Sequence, residues 1–326
     1  HAVRQALQTL VHGLGGGGLR FAVALDRIVA ADPAADPSPD PAPDPADARA
    51  AGRAHGRGGD LAVRRVTFAY GPHAAPVVRD LTLTVAGGEH VAVVGPSGAG
   101  KSTLAALLAG VLRPDRGEVH LGGVPVGDLR PADRSRARVL VPQEAYLFTA
   151  TLRANLALLR PTADPAELDR AVGAVGAGAL VARLGGYGVP IRPGQLSAGE
   201  RQLVALVRAY LSTAPTVILD EATCHLHPAA ESQAERAFAE RGGTLIVVAH
   251  RVSSALRAPR ILVMDGTHVA DGDHRGLLAG SPLYRELVGH WFAAAAGDPA
   301  VTGVTASRRS ARPVPPRSWS APRSSP

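Results

Sequence analysis

The chain has 326 residues, 46% of them hydrophobic, enough to bury a real core and to hold one large domain or two smaller ones. Thirty-five Lys and Arg against 28 Asp and Glu leave a formal charge of +7, but aromatic residues are only 4% and much of the excess sits in the tail SRRSARPVPPRSWSAPRSSP, which argues against a dedicated nucleic-acid role. One cysteine, Cys224, excludes an internal disulfide and a cysteine-rich metal site, and no apolar run reaches the ~18 residues that a membrane span needs.

Four zones follow in chain order. Residues 1–30 alternate apolar and small side chains around HGLGGGGLRFAVALDRI, without the order of a secretory signal. Residues 31–59 are Pro, Ala, Asp and Gly and read as a disordered linker. Residues 60–292 carry all the periodic signals, and residues 293–326 read as a basic, disordered tail.

In the third zone LAVRRVTFAY alternates like a strand, and LTLTVAGGEHVAVVG reads as two strands joined at the Gly87-Gly88 turn. STLAALLAGVL reads as a helix ending before Pro114, and RGEVHLGGVPVGDL as a hairpin around Gly122-Gly123. Residues 151–184 read as mostly helical, interrupted by Pro161 and Pro165. ERQLVALVRAYL is a helix, PTVILD a buried strand, ESQAERAFAER a helix, TLIVVAH a second buried strand and ILVMDGTHVADGD a closing hairpin. Short apolar strands alternating with helices predict an α/β fold with a mostly parallel, two-sided sheet.

GPSGAGKST, from Gly95 through Pro96, Ser97, Gly98, Ala99, Gly100, Lys101 and Ser102 to Thr103, contains the only lysine of the chain. The segment matches G-x-x-x-x-G-K-[ST] between a strand and a helix, where the mechanism of the motif needs it. Gly95, Gly98 and Gly100 let backbone N–H groups point inward at phosphate oxygens, and the helix adds the positive end of its dipole. Lys101 reaches the β and γ phosphates as a compact point charge where the wide fork of arginine would not fit. Ser102 is placed to bind Mg²⁺. A glycine-rich turn with a chance lysine is the plain alternative.

TVILDEAT puts Asp220 and Glu221 at the end of a buried apolar strand. Asp220 would hold Mg²⁺, directly or through water, and Glu221 would act as general base on the attacking water. The alternative is a strand end that merely exposes two acids.

Immediately upstream, LSAGERQLVALVRAYL begins at Leu196. It resembles the signature of the ABC ATPase family, LSGGQ followed by RQR and a helix. Residues 60–292 resemble the nucleotide-binding domain of an ABC transporter of the exporter type. The resemblance implies a RecA-like P-loop NTPase core with an antiparallel β subdomain and an α-helical signature subdomain at about residues 144–210. It implies a Mg-dependent ATPase at the cytoplasmic face of the cell membrane. Its partners would be a second nucleotide-binding domain, in a homodimer or heterodimer, and the transmembrane domains of an exporter.

By the same resemblance Ser197 and Gly199 present donors to the γ-phosphate of an ATP held by the opposite domain. Tyr70 matches the aromatic that stacks on adenine, with an ordinary strand aromatic as the alternative. Gln143 matches the Gln that senses Mg²⁺ and the attacking water, and His250 the histidine that contacts the γ-phosphate. FTATLRANL resembles the segment that meets the membrane domain. Residues 1–30 resemble the cytoplasmic end of a last membrane helix or its lead-in, which would put most of a membrane domain upstream of His1.

Three departures stand out. Ala198 and Glu200 replace the usual Gly and Gln of the signature. Cys224-His225-Leu226-His227 replaces SALD, with His227 at the position of the aspartate that links two ATP sites. GYGVPIRPGQ lacks the acidic exporter pattern. These changes suggest a heterodimer with one altered composite site, and His225 with His227 also forms an H-x-H spacing that could hold a metal. A non-transport ABC-type ATPase, or a regulatory nucleotide-binding half with little turnover, are the rival readings. Neither the long coiled-coil insertion of repair members nor the tandem domains of translation members is present, and intact Glu221 and His250 speak for turnover.

Overall fold

A computed structural model of the chain describes residues 59–296. The readings of residues 1–30, of nearly all the linker and of residues 297–326 lie outside these. The strands read from LAVRRVTFAY and LTLTVAGGEHVAVVG form as β1 (Leu61–Phe68), β2 (Val78–Val85) and β3 (His90–Val94). Helix α1 (Lys101–Leu108) is shorter than the sequence reading, because the chain turns out of it through Gly110 at φ +63°. The hairpin at Gly122-Gly123 is β4 (Arg116–Leu121) with β5 (Val124–Pro125).

Several elements escaped the sequence reading, among them α2 (Pro131–Ala137) and the four-residue strand β6 (Arg138–Val141). The stretch read as mostly helical resolves into β7 (Ala150–Thr151), α3 (Leu152–Leu156), α4 (Pro165–Val175) and α5 (Gly178–Leu184). Pro165 is a helix start rather than an interruption: it occupies the first turn of α4, behind an Asp164–Glu167 capping box. Then follow β8 (Pro190–Ile191), α6 (Ala198–Leu211), β9 (Thr216–Asp220), α7 (Pro228–Arg241) and β10 (Thr244–Val248). The described chain closes with α8 (Val252–Arg257), β11 (Arg260–Asp265), β12 (His268–Gly272), α9 (His274–Gly280) and α10 (Pro282–Ala296). Residues 293–296, read as the start of the tail, are therefore helical.

The central sheet has six strands in the order β12-β11-β3-β10-β9-β6. All neighbours in it are parallel except the closing pair β11–β12. A second, antiparallel sheet runs β2-β1-β4-β5, so the Gly87-Gly88 turn passes the chain from one sheet to the other instead of closing a hairpin. Beta-strand β3 shows why its sequence is an unbroken apolar run. Val91 and Val93 enter the cluster shared with the antiparallel sheet and α1, while Ala92 and Val94 enter the cluster under α8 and α10. A third cluster joins β9 to the helices through Leu168, Leu206 and Phe238. This is a RecA-like P-loop NTPase fold with an antiparallel sheet and a helical layer beside its core. Among the described residues no helix is long and apolar enough to cross a membrane.

Candidate functional site

Four of the sequence-read positions follow the carboxyl ends of adjacent parallel strands. Gly95 follows Val94 of β3, Glu221 follows Asp220 of β9, His250 lies two residues past β10, and Gln143 two residues past β6. Register aligns these ends, since Val248 pairs with both Val93 and Asp220, and Val141 with Leu219. The crevice outside the carboxyl ends of such a sheet is where α/β folds bind ligands.

The loop after β3 wraps its own lysine. Lys101 Nζ donates to Gly95 O and Pro96 O, each at 3.0 Å. Gly95 admits no side chain: a Cβ there would lie 2.3 Å from the Met264 carbonyl of β11, and its φ is +154°. Pro96, Ser97 and Gly98 are exposed at the loop crest, while Ala99, Lys101 and Thr103 are buried and Gly100 caps α1. Burial pushes the Lys101 ammonium below its usual range, and the Glu221 and Asp220 carboxylates oppose that shift.

Ser102 Oγ donates to Asp220 Oδ1 at 2.9 Å, across 118 residues of sequence. Two hard oxygen donors so close, at the start of a helix and the end of a strand, suit Mg²⁺. Glu221 is half-buried with φ +50°, a left-handed backbone that costs a non-glycine residue on the order of 1–3 kcal/mol and concentrates at functional positions. Gln143 and His250 are exposed. The Tyr70 hydroxyl lies 2.8 Å from Thr103 Oγ1, and its ring stands edge-on to Phe68 at 5.0 Å. An open cleft of about 1220 Å³, lined by Arg64, Arg79, Asp115 and Arg116, meets the candidate residues only at Tyr70.

The signature segment makes its own set of contacts. Ser197 caps α6, and Glu200 closes a capping box with it: Ser197 N donates to Glu200 Oε2 at 2.8 Å, and Glu200 N to Ser197 Oγ at 3.3 Å. Arg183 of α5 binds the same carboxylate. Bonding from Ser197 N–H, then Arg183, holds Glu200 below the usual carboxylate range despite some desolvation. The departure at Glu200 therefore serves its own helix. The S-x-x-E spacing that reports this was present in the sequence and passed over there. Gly199 rests on the 224–226 turn, where a Cβ would come within 2.8 Å of His225 O. His227 caps α7, its Nδ1 accepting from Ala230 N at 3.3 Å, so the H-x-H spacing has a structural use. Among the described residues no group of three His, Cys, Asp or Glu could hold a metal.

The profile of the ABC transporter family matches residues 78–224, the segment running from β2 through the loop of Lys101 to the turn after Glu221. The chain carries an ABC-transporter ATP-binding domain. Over 229 residues, 70% of the chain, it is 59% identical to the ABC transporter ATP-binding protein RamB of Streptomyces coelicolor, covering 38% of that protein. It is 37% identical to an ATP-dependent lipid A-core flippase of Alcanivorax borkumensis, over 70% of the chain and 40% of the flippase. It is 38% identical to the mycobactin import ATP-binding/permease protein IrtB of Mycolicibacterium smegmatis, over 68% of the chain and 39% of that protein. Among solved structures, a bacterial Atm1-family ABC exporter with ATP bound superposes with a TM-score of 0.67 at 32% identity, over 74% of the chain and 42% of the exporter. The chain thus spans about two fifths of the length of these relatives. These likenesses support ATP binding and hydrolysis for the matched domain.

Two further residues neighbour the candidate positions and were not singled out from sequence. Gln202, on α6, is 1% exposed and bonds the loops that carry Gln143, Glu221 and His225. Arg251, beside His250, pairs with the buried Glu231 at 2.8 Å and reaches Leu226 O at 3.4 Å. Gln202 falls in the quoted signature resemblance, but neither residue was given a role there, because their partners lie on other elements.

Proposed function

We propose that the domain drives export. It would close head-to-tail on a second ATP-binding domain around Mg-ATP at the cytoplasmic face of the cell membrane, and hand that closure to transmembrane domains. The observation that carries this reading is the different bonding of the two half-sites. Lys101, Ser102, Asp220 and Glu221 share one sheet edge, whereas Ser197 hydrogen-bonds only within its own helix cap among the described residues. A helix N-terminus whose Ser197 makes no hydrogen bond to its own phosphate loop suits an ATP held by another copy or partner.

In this reading Lys101 leaves its loop carbonyls for the β and γ phosphates, and the Gly95–Gly100 backbone cradles them. Tyr70 stacks on adenine, steadied by Thr103. Ser102 and Asp220 would hold Mg²⁺, whose charge would offset that of the phosphates. Glu221 takes the proton of the attacking water, while Gln143 and His250 orient water and γ-phosphate from the flanking strand ends. Membrane partners are supported by an exposed aromatic pair: Tyr146 is 70% and Phe148 44% exposed, and they stack edge to face at 5.1 Å. Export, rather than the import named for one relative, rests on the flippase and exporter likenesses.

The test is the solution mass of Glu221→Gln with and without Mg-ATP. An ATP-dependent doubling supports the sandwich and shows that Ala198, Glu200 and His227 are compatible with self-pairing. A monomer that binds ATP without ever doubling refutes pairing between copies and calls for a different partner domain.

A further inference from the structure

Gln202 sits in the first half of α6, one turn past Gly199, and its carboxamide is fully enclosed at 1% exposure. Its Oε1 accepts from His225 N at 3.0 Å. Because that partner can only donate, the orientation of the amide is fixed and Nε2 faces the other way. Nε2 is 3.2 Å from Gln143 O, 3.3 Å from Cys224 Sγ and 3.5 Å from Glu221 O. One side chain thus touches the segment after β6, the residue after β9 that carries the left-handed φ of +50°, and the 224–225 turn. Gly199 meets that same turn from one helical turn earlier, so α6 bears on it at two points of one face. Farther along α6, Arg208 donates to Tyr146 O at 3.1 Å and Asn155 O at 2.9 Å, holding the loop that presents the Tyr146–Phe148 pair.

We propose that Gln202 is a positioning residue that couples the two ATP sites: it ties the signature helix, whose N-terminus serves one ATP, to Gln143, Glu221 and Cys224–His225, which serve the other. The proposal rests on the head-to-tail reading above. Its physical basis is that a buried amide with donor and acceptor both engaged leaves these loops no independent position, so any rotation of α6 on closing is imposed on the strained Glu221 backbone. An apolar residue of similar length keeps the packing and removes the link.

The experiment uses the full 326-residue chain. In Gln202→Met, ATP affinity is expected within about twofold of the parent, since the Lys101 loop is untouched, while kcat falls about 10- to 100-fold, the range that a misplacement of catalytic groups by an ångström produces. The Hill coefficient for ATP drops to one. Leu206→Ala, in the core on the same helix, lowers stability and leaves kcat and the Hill slope of the folded protein unchanged. A folded Gln202→Met with parental kcat and Hill slope overturns the proposal. Should that variant not fold, hydrogen exchange on the unaltered chain decides: the His225 amide is expected to be protected and to gain protection with ATP, and exchange at the rate of a free peptide overturns the link. Failure of the head-to-tail reading looks different. The parent chain would then show no ATP-dependent dimer and a Hill coefficient of one, while His225 protection would still report the Gln202 bond.

Discussion

Ser102 Oγ and Asp220 Oδ1 are 2.9 Å apart, so the first turn of α1 and the last residue of β9 are joined at the point where a divalent ion would bridge them. Ser102→Ala removes one hard donor and leaves the lysine cradle intact. The Mg²⁺ concentration for half-maximal ATPase is expected to rise about tenfold, a loss of ~1.4 kcal/mol. ATP binding in excess chelator should not change. A Mg²⁺ titration identical to that of the parent would show that Ser102 is no ligand.

Lys101 is the only lysine, only 9% exposed, and its ammonium is pushed below the usual range by burial. A lowered value means a larger neutral, nucleophilic fraction near neutrality. An amine-reactive reagent should therefore modify two places, the N-terminus and Lys101, and Mg-ATP should protect the second alone. Peptide mapping by mass spectrometry reads this directly, and equal labelling with and without nucleotide would break the cradle assignment. Lys101→Ala should abolish tight ATP binding without loss of fold, because α1 is anchored by Leu104, Leu107 and Leu108 in the core.

Glu200 tests how a change in a signature can be read. Glu200→Gln keeps an acceptor for Ser197 N and should cost little, since the half-exposed pair with Arg183 contributes at most about 1 kcal/mol. Glu200→Ala loses the box and should cost about 0.5–2 kcal/mol, read as a lower urea midpoint. If the two variants are equally destabilised, the ion pair and not the cap is what holds this carboxylate.

Why some of this was visible in sequence and some not follows from locality. The Gly95–Thr103 loop and the Asp220–Glu221 strand end are contiguous and sit inside strongly patterned elements, so their spacing alone reports them. The buried five-residue core strands β9 and β10 were equally plain, from the apolar runs VIL and LIVV. Helix α2 buries no residue, and β6 is four residues long, so neither leaves a periodic trace. The end of α1 was misplaced by reading Pro114 as the stop and passing over Gly110. Gln202 lies inside the quoted signature, but its contacts were not legible for a different reason: its four partners lie 19 to 59 residues away, and only the packed fold brings them together.

His90 opens β3, the strand that delivers the phosphate loop, and among the described residues its buried Nε2 has no hydrogen-bond partner. Burial, and then the charge of Arg257, push its imidazole down from 6.5 to about 4. The folded state thus binds fewer protons than the unfolded chain between these values, and protonation favours unfolding. The stability gained by burying a neutral ring is complete above pH 6.5 and is lost as pH falls toward 4. His90→Leu removes this linkage while keeping an apolar side chain at the strand start. Carboxylates titrate in the same window in both proteins, so the informative quantity is the difference between their urea midpoints. That difference should widen in favour of His90→Leu on acidification from pH 6.5 to 4. A constant difference across the window would mean that His90 is solvated and that its position at the head of β3 carries no acid sensitivity.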